Sequence, residues 1–160
     1  ARSHELLDLL DDGAVDAVLV LDQGPRPSRI ETYATDLCWA ATPNFEAPAG
    51  PLPLVFLEDA RDLRRHAFAA LDAADDPWPH ALSYQAEPLG LRSAILSGRF
   101  ATVLPRAALA APLEDAGPRL GLPKPGTATV AFYAARRARA RMIEALRAAF
   151  ARVIRSASEA

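Results

Sequence analysis

The sequence predicts an α/β protein built mostly on parallel strands. Three observations predict it. Short apolar runs alternate with amphipathic helical segments from residue 3 to residue 104. The connections between them are short, which favours βαβ crossovers with a helix on the sheet face. Several of the apolar runs lack alternation, as in strands covered on both faces.

The elements follow in order. SHELLDLLDDG (3–13) reads as a helix, with Ser3 as a cap, Leu6, Leu7 and Leu10 as its stripe, and Gly13 as its stop. AVDAVLVLD (14–22) is short, apolar and rich in Val, as a buried strand is. QGPRPS (23–28) is a turn. IETYA (30–34) and LCWAAT (37–42) read as strands separated near Thr35-Asp36, and PNFEAPAGP (43–51) as a loop. PLVFL (53–57) is a further strand and EDARDLRRHAFAALDAADD (58–76) a helix presenting Leu63, Ala67, Ala70 and Leu71. PWP (77–79) ends that helix, and HALSYQA (80–86) returns to strand.

LGLRSAILSGRFATVLP (89–105) gives a helix, a stop at Gly98 and a strand over 100–104, with Phe100 expected in the core beside the helix. Residues 106–127 are proline-punctuated and irregular. ATVAFYAA (128–135) is a strand. RRARARMIEALRAAFARVIR (136–155) is a long helix with Met142, Ile143, Leu146, Phe150 and Val153 as its core stripe.

Composition narrows the function. At 160 residues and 51% hydrophobic, the chain makes one domain or two small lobes and is too apolar for a disordered segment. No run approaches the length of a membrane span, and no secretory leader opens the chain; a cytoplasmic protein with no membrane partner is expected. The net charge of −2 conceals an asymmetry. Residues 1–88 hold 16 acids and 6 bases, and residues 89–160 hold 4 acids and 12 bases. Faces of opposite sign can dock on one another, or the basic half can meet an acidic partner. The arginines around the last helix carry no aromatic interleaving, so they read as a solvated face rather than a nucleic-acid surface.

Chemistry-bearing motifs are scarce. Cys38 is the only cysteine, set in the apolar run LCWAA, and reads as a buried small hydrophobe. His4, His66 and His80 have no metal-ligand spacing, so neither a metal nor another cofactor is expected. There is no nucleophile elbow, phosphate loop or dinucleotide fingerprint, which argues against an enzyme.

Five segments in order carry a family resemblance: ELLDLLDDGAVDAVLV (5–20), DLCWAATPNF (36–45), LPLVFLEDARDLRRHAFAAL (52–71), LGLRSAILSGRFATVLP (89–105) and RLGLPKPGTATVAFYAARR (119–137). Together they resemble the effector-binding domain of LysR-type transcriptional regulators. Two departures stand out: the family's winged-helix DNA-binding domain and the first strand–helix–strand of its first lobe are absent, and Gly98-Arg99-Phe100 replaces a Gly-x-Gly corner.

The resemblance implies a two-lobed fold similar to periplasmic binding proteins, with two crossover strands and a truncated first lobe. The first lobe would comprise residues 1–42 and 123–160, and the second 43–122. It also implies a small-molecule effector bound between the lobes, action on DNA only through the missing winged-helix domain, and homo-oligomers of the parent protein. A stand-alone solute-binding protein of similar fold is the alternative. A small transferase or hydrolase is a third reading, for which no cluster of acids or bases is visible.

Ligands of open α/β folds bind beyond the carboxyl ends of strands, near helix N-termini that favour anions. Three corners qualify, and each has a plain structural alternative. Glu58, Asp59 and Arg61 follow strand 53–57. Asp59 also suits a helix cap, and Arg61 either grips a carboxylate or is solvated. Gln85 and Glu87 precede the helix opened by Pro88, where a missing amide is no loss. Asp22 and Gln23 follow strand 14–22, where an Asx turn is the alternative. Thr42, ending a crossover strand, completes the candidates.

Overall fold

The computed structural model describes residues 3–74 and 81–158. The expected PWP break and the start of the strand at His80 lie outside the described residues. Contacts divide the chain into two compact units, residues 1–35 with 127–160, and residues 36–126. These boundaries fall several residues inside the expected 42/43 and 122/123.

The first unit is built on strands β1 (Ala17–Leu21), β7 (Thr127–Ala134) and the opening half of β2 (Arg29–Ala41). β1 and β7 are antiparallel, from Ala17 opposite Ala134 to Leu21 opposite Val130. Helix α1 (Ser3–Asp11) lays Leu7 and Leu10 over Val18, Val20, Ala131 and Tyr133, all buried. The spacing of Leu7 and Leu10 puts both on one helical face, which is why this short helix docks.

Helix α5 (Ala140–Ser158) contributes Phe150, whose ring meets Phe132 edge-on at 5.4 Å. Its coverage is thinner than the sequence stripe implies. Ile154 is buried and Ile143, Leu146 and Phe150 are half-buried, whereas Met142 and Val153 are 36% and 50% exposed. An apolar stripe marks what a helix can bury, and the sheet beneath α5 covers only part of it.

The second unit begins within β2. The expected break at Thr35-Asp36 is absent: β2 runs 13 residues without interruption. Its early residues alternate between half-buried and exposed, and residues 37–41 are all buried. That later half pairs antiparallel with β5 (Thr102–Pro105), Leu37 opposite Pro105 and Ala40 opposite Thr102. On its other side it pairs antiparallel with β6 (Glu114–Asp115).

The parallel part is β3 (Pro53–Leu57) and β4 (Leu82–Ala86), joined through α2 (Arg61–Asp72). Ala101 extends it by a parallel bridge to Leu54. The α/β class stands, but the expectation of mostly parallel sheets does not, because β7 runs antiparallel to β1, and β5 and β6 run antiparallel to β2. The sequence placed strands and helices in order but carried no information on the direction of strands joined by irregular chain.

Buried Trp39 organises the irregular stretch after β5. Its indole N–H donates to the Pro123 carbonyl at 2.6 Å. Asp115 pairs with Arg106 and accepts the Gly117 N–H at 3.1 Å, opening the short helix α4 (Gly117–Leu120). A Cβ on Gly117 would stand 2.9 Å from Trp39 Cδ1, so only glycine lets this turn reach the indole.

Candidate functional site

In the first unit, Asp22 and Gln23 follow β1 as expected, but the Asp22 carboxylate is committed to the protein. Its Oδ1 accepts the Tyr133 hydroxyl at 2.9 Å and the Gly24 N–H at 3.1 Å. Arg29 Nη1 donates to both of its oxygens at 3.2 Å. Burial alone would raise the Asp22 pKa. The hydrogen bonds from Tyr133, Arg29 and Gly24, with the Arg29 charge, outweigh it and hold the carboxyl below its ordinary value.

Tyr133, fully buried on β7, is pushed up by its burial and by that same bond. The Gly24 bond is the Asx turn that residue pattern allowed. Asp22 thus positions the turn, and Gln23 rides on it: its backbone N–H donates to Tyr133 Oη at 3.3 Å and its side-chain amide to the Leu21 carbonyl at 3.0 Å.

In the second unit, the parallel pairing of β3 and β4 brings their carboxyl ends to one edge, with Leu57 opposite Ala86 as the last pair. Glu58 and Asp59 leave β3 there, and Arg61 opens α2 two residues later. Gln85 is the penultimate β4 residue, opposite Phe56. Glu87 occupies the N-cap of α3 (Pro88–Leu96), and Pro88 takes the first turn. All five side chains belong to exposed residues. The cap position of α2 is Ala60 rather than Asp59, without a side-chain cap bond, and Glu87 makes no side-chain cap bond either. Two helix N-termini therefore flank this edge.

Thr42 does not join them. β2 runs antiparallel to β5, and Ala101, just before β5, pairs in parallel with Leu54 near the start of β3. Thr42, one residue past β2, therefore lies level with the beginning of β3, about 13 Å of strand from Leu57. It is 6% exposed, and its hydroxyl is buried without a hydrogen-bond partner among the described residues. The same end of the unit holds the Gly98 corner. Gly98 has φ 71°, and a Cβ there would meet the Asn44 side chain at 2.9 Å. Phe100 beyond it is half-buried rather than a core residue, meeting Tyr84 edge-on at 5.3 Å.

The register also shows a residue that sequence reasoning missed. Leu37 faces Pro105, which stands level with the end of β3, so Asp36 shares the edge of Glu58 and Gln85. The signal lay in the antiparallel return of β5, which residue patterns do not specify.

The buried Cys38 thiol is pushed up to about 11 by its burial and by the Asp115 charge, against the opposing Arg106 charge. Among the described residues no three His, Cys, Asp or Glu gather as metal ligands. Among them, too, no helix is long and apolar enough to cross a membrane. Two open grooves of about 560 and 580 Å³ lie in the first unit. Both are shallow and edged by ion-paired arginines, Arg26 with Asp11 and Arg147 with Glu31 and Glu144. Neither holds a candidate residue.

The ends of β3 and β4 thus converge beside the starts of α2 and α3, the place where open α/β folds hold ligands. Known proteins place the chain further. The chain belongs to the LysR substrate binding domain family, whose model matches residues 1–158. It is 28% identical over 125 residues to the HTH-type transcriptional regulator PecT of Dickeya dadantii, a stretch that covers 77% of this chain. The match spans 39% of the length of PecT.

The fold is similar to that of the reduced OxyR regulatory domain from Pseudomonas aeruginosa, with a TM-score of 0.54 at 19% identity, covering 99% of this chain and 79% of that one. It is also similar to full-length HypT from Salmonella typhimurium, described as a hypochlorite-specific LysR-type regulator, with a TM-score of 0.54 at 11% identity, covering 98% of this chain and 57% of that one. The family is one of regulatory ligand-binding domains, not of enzymes. Its two-lobed α/β fold, similar to that of periplasmic binding proteins, is the fold of this chain.

Proposed function

We propose that this chain senses a small effector for a bacterial LysR-type transcriptional regulator. The observation that carries the reading is the carboxyl edge of β3 and β4, which gathers Glu58, Asp59, Arg61, Gln85 and Glu87 beside two helix N-termini. Asp36 joins this edge. Asp22 is committed to the fold of the first unit, and Thr42 is not a contact. A ligand held by these residues favours one arrangement of the protein by its differential affinity for the two states. The parent regulator passes that bias to DNA through a winged-helix domain outside this chain, as a homo-oligomer in the cytoplasm.

Cys38, buried and with its thiol pushed up to about 11, is not an effector contact. The stand-alone solute-binding reading draws no support from the family match.

The test is a thermal-shift screen of metabolites against the 160-residue chain, repeated with Gln85→Ala and Asp59→Ala. Hits that lose their shift in both variants, with the unliganded melting curve unchanged, support the edge as the site. Hits indifferent to both place the effector elsewhere.

A further inference from the structure

Helix α5 carries more positive charge than the fold of the first unit uses. Arg147, Arg152 and Arg155 line one groove of about 580 Å³, which Glu31 of β2 closes on the other side. Positions 148, 151, 152 and 155 follow at spacings of three and four, so they share one helical face. Between the arginines the groove is floored by the methyl groups of Ala145, Ala148 and Ala151.

One wall is fixed by the protein itself. The Tyr33 hydroxyl donates to Glu31 Oε2 at 2.7 Å, and Arg147 Nη1 donates to the same oxygen at 3.2 Å. Arg147 also holds Glu144, through Nε at 3.1 Å and Nη2 at 2.7 Å. Its guanidinium is thus consumed by two carboxylates.

Arg152 and Arg155 are different. Both are exposed, and among the described residues neither makes an ion pair or a side-chain hydrogen bond. Arg155 opens the last turn of α5, where a cation answers the helix dipole; Arg152 lies a turn earlier, beyond that reach. Arg155 is also turned to the groove. Burial and the Glu31 bond push the Tyr33 hydroxyl up to about 12, and the charges of Arg147 and Arg155 oppose that rise, so the Arg155 field reaches the Tyr33 oxygen. Three arginines against two carboxylates leave one positive charge on the groove.

We propose that this groove binds a small organic anion, one carboxylate or phosphate group on a short apolar body. Arg152 and Arg155, three residues apart, converge on the anionic head with charge-assisted hydrogen bonds. The apolar body lies on the alanine methyls and leaves water there. Glu31 repels the head, which sets the direction of the ligand along the helix. The groove lies wholly within residues 1–35 and 127–160 and shares no residue with the edge formed by β3 and β4.

Isothermal titration of the 160-residue chain tests it with hexyl phosphate, hexanoate, inorganic phosphate and hexylamine. Hexyl phosphate or hexanoate should bind with a Kd of roughly 0.1–1 mM, and the tighter of the two shows which head group the arginines fit. Inorganic phosphate lacks the body and hexylamine has the wrong charge, so both should bind at least about tenfold more weakly. Arg152→Gln and Arg155→Gln should each weaken the tighter probe roughly fivefold or more. Arg139→Gln removes the same charge just before α5 and outside the groove, and should change binding by less than about twofold, because solvent screens it. Unliganded melting curves check that each variant is folded.

Absence of saturable heat up to about 10 mM overturns the proposal. So does hexylamine or inorganic phosphate binding as tightly as the two probes, binding indifferent to both groove arginines, or an equal loss in Arg139→Gln. Gln85→Ala should leave the probes bound, and their loss in that variant would assign them to the edge of β3 and β4 instead. A metabolite screen that fails at that edge leaves all of these outcomes unchanged.

Discussion

Asp22 and Glu58 both follow a β-strand with an apolar core, and in sequence they look alike: an acid at a strand end before a turn. The structure treats them differently. Asp22 is drawn into a closed set of donors from Tyr133, Gly24 and Arg29. Glu58 stands on an exposed edge with Asp59, Gln85 and Glu87. A carboxylate already saturated by protein donors has little capacity left for a ligand. The contrast separates an acid consumed by the fold from the exposed acids on which the proposed site draws.

The largest expected effect is on the closed side. Asp22→Ala leaves the Arg29 guanidinium and the buried Tyr133 hydroxyl without their shared acceptor, and should destabilise the chain by about 2–3 kcal/mol. Urea denaturation measures it, and a loss below about 0.5 kcal/mol would make the network ornamental. Tyr133→Phe removes one bond and keeps the ring, so about 1 kcal/mol is expected, with Asp22 still held by Arg29.

A pH series sharpens the same point. The folded Asp22 carboxyl is held below its ordinary value of 3.8, so its contribution is fully present above that value. It is lost as pH falls from 3.8 through the lower folded value, because protonation then costs the bonds that folding made. Stability of Asp22→Ala should therefore fall less steeply with acid than that of wild type. Parallel curves would contradict the pairing. The smallest effect belongs to the open side: Gln85→Ala should change stability by less than about 0.5 kcal/mol, and a larger loss would mean that Gln85 is structural.

Much of the fold was legible in the residues. β3 was placed at its observed bounds because Pro51 and Pro53 open it and Glu58-Asp59 close it. The face of α2 was legible too, since Leu63, Ala67 and Leu71 are one helical stripe and all three are buried. β2 was not legible as one strand. Thr35 and Asp36 resemble a break, yet Thr35 is 2% exposed within a continuous strand. Local polarity suggested a turn, and pairing overrode it.

The candidate site was legible where parallel pairing was. Glu58, Asp59, Gln85 and Glu87 come together because β3 and β4 share a direction, which the intervening helix α2 requires. Thr42 was misplaced because the direction of β2 depends on β5, and no helix joins those two strands.

The sequence by itself determined the elements, the helical faces and the family, since periodicity, turn residues and motif order are local properties of the chain. Only the tertiary structure decided which acid is consumed by the fold and which edge stays open. Those outcomes depend on partners far apart in sequence: Tyr133 for Asp22, Pro105 for Leu37, and no second neighbour for β4 among the described residues. Residue patterns record what a side chain can bury or bond, but the partner is fixed only when distant strands meet in register.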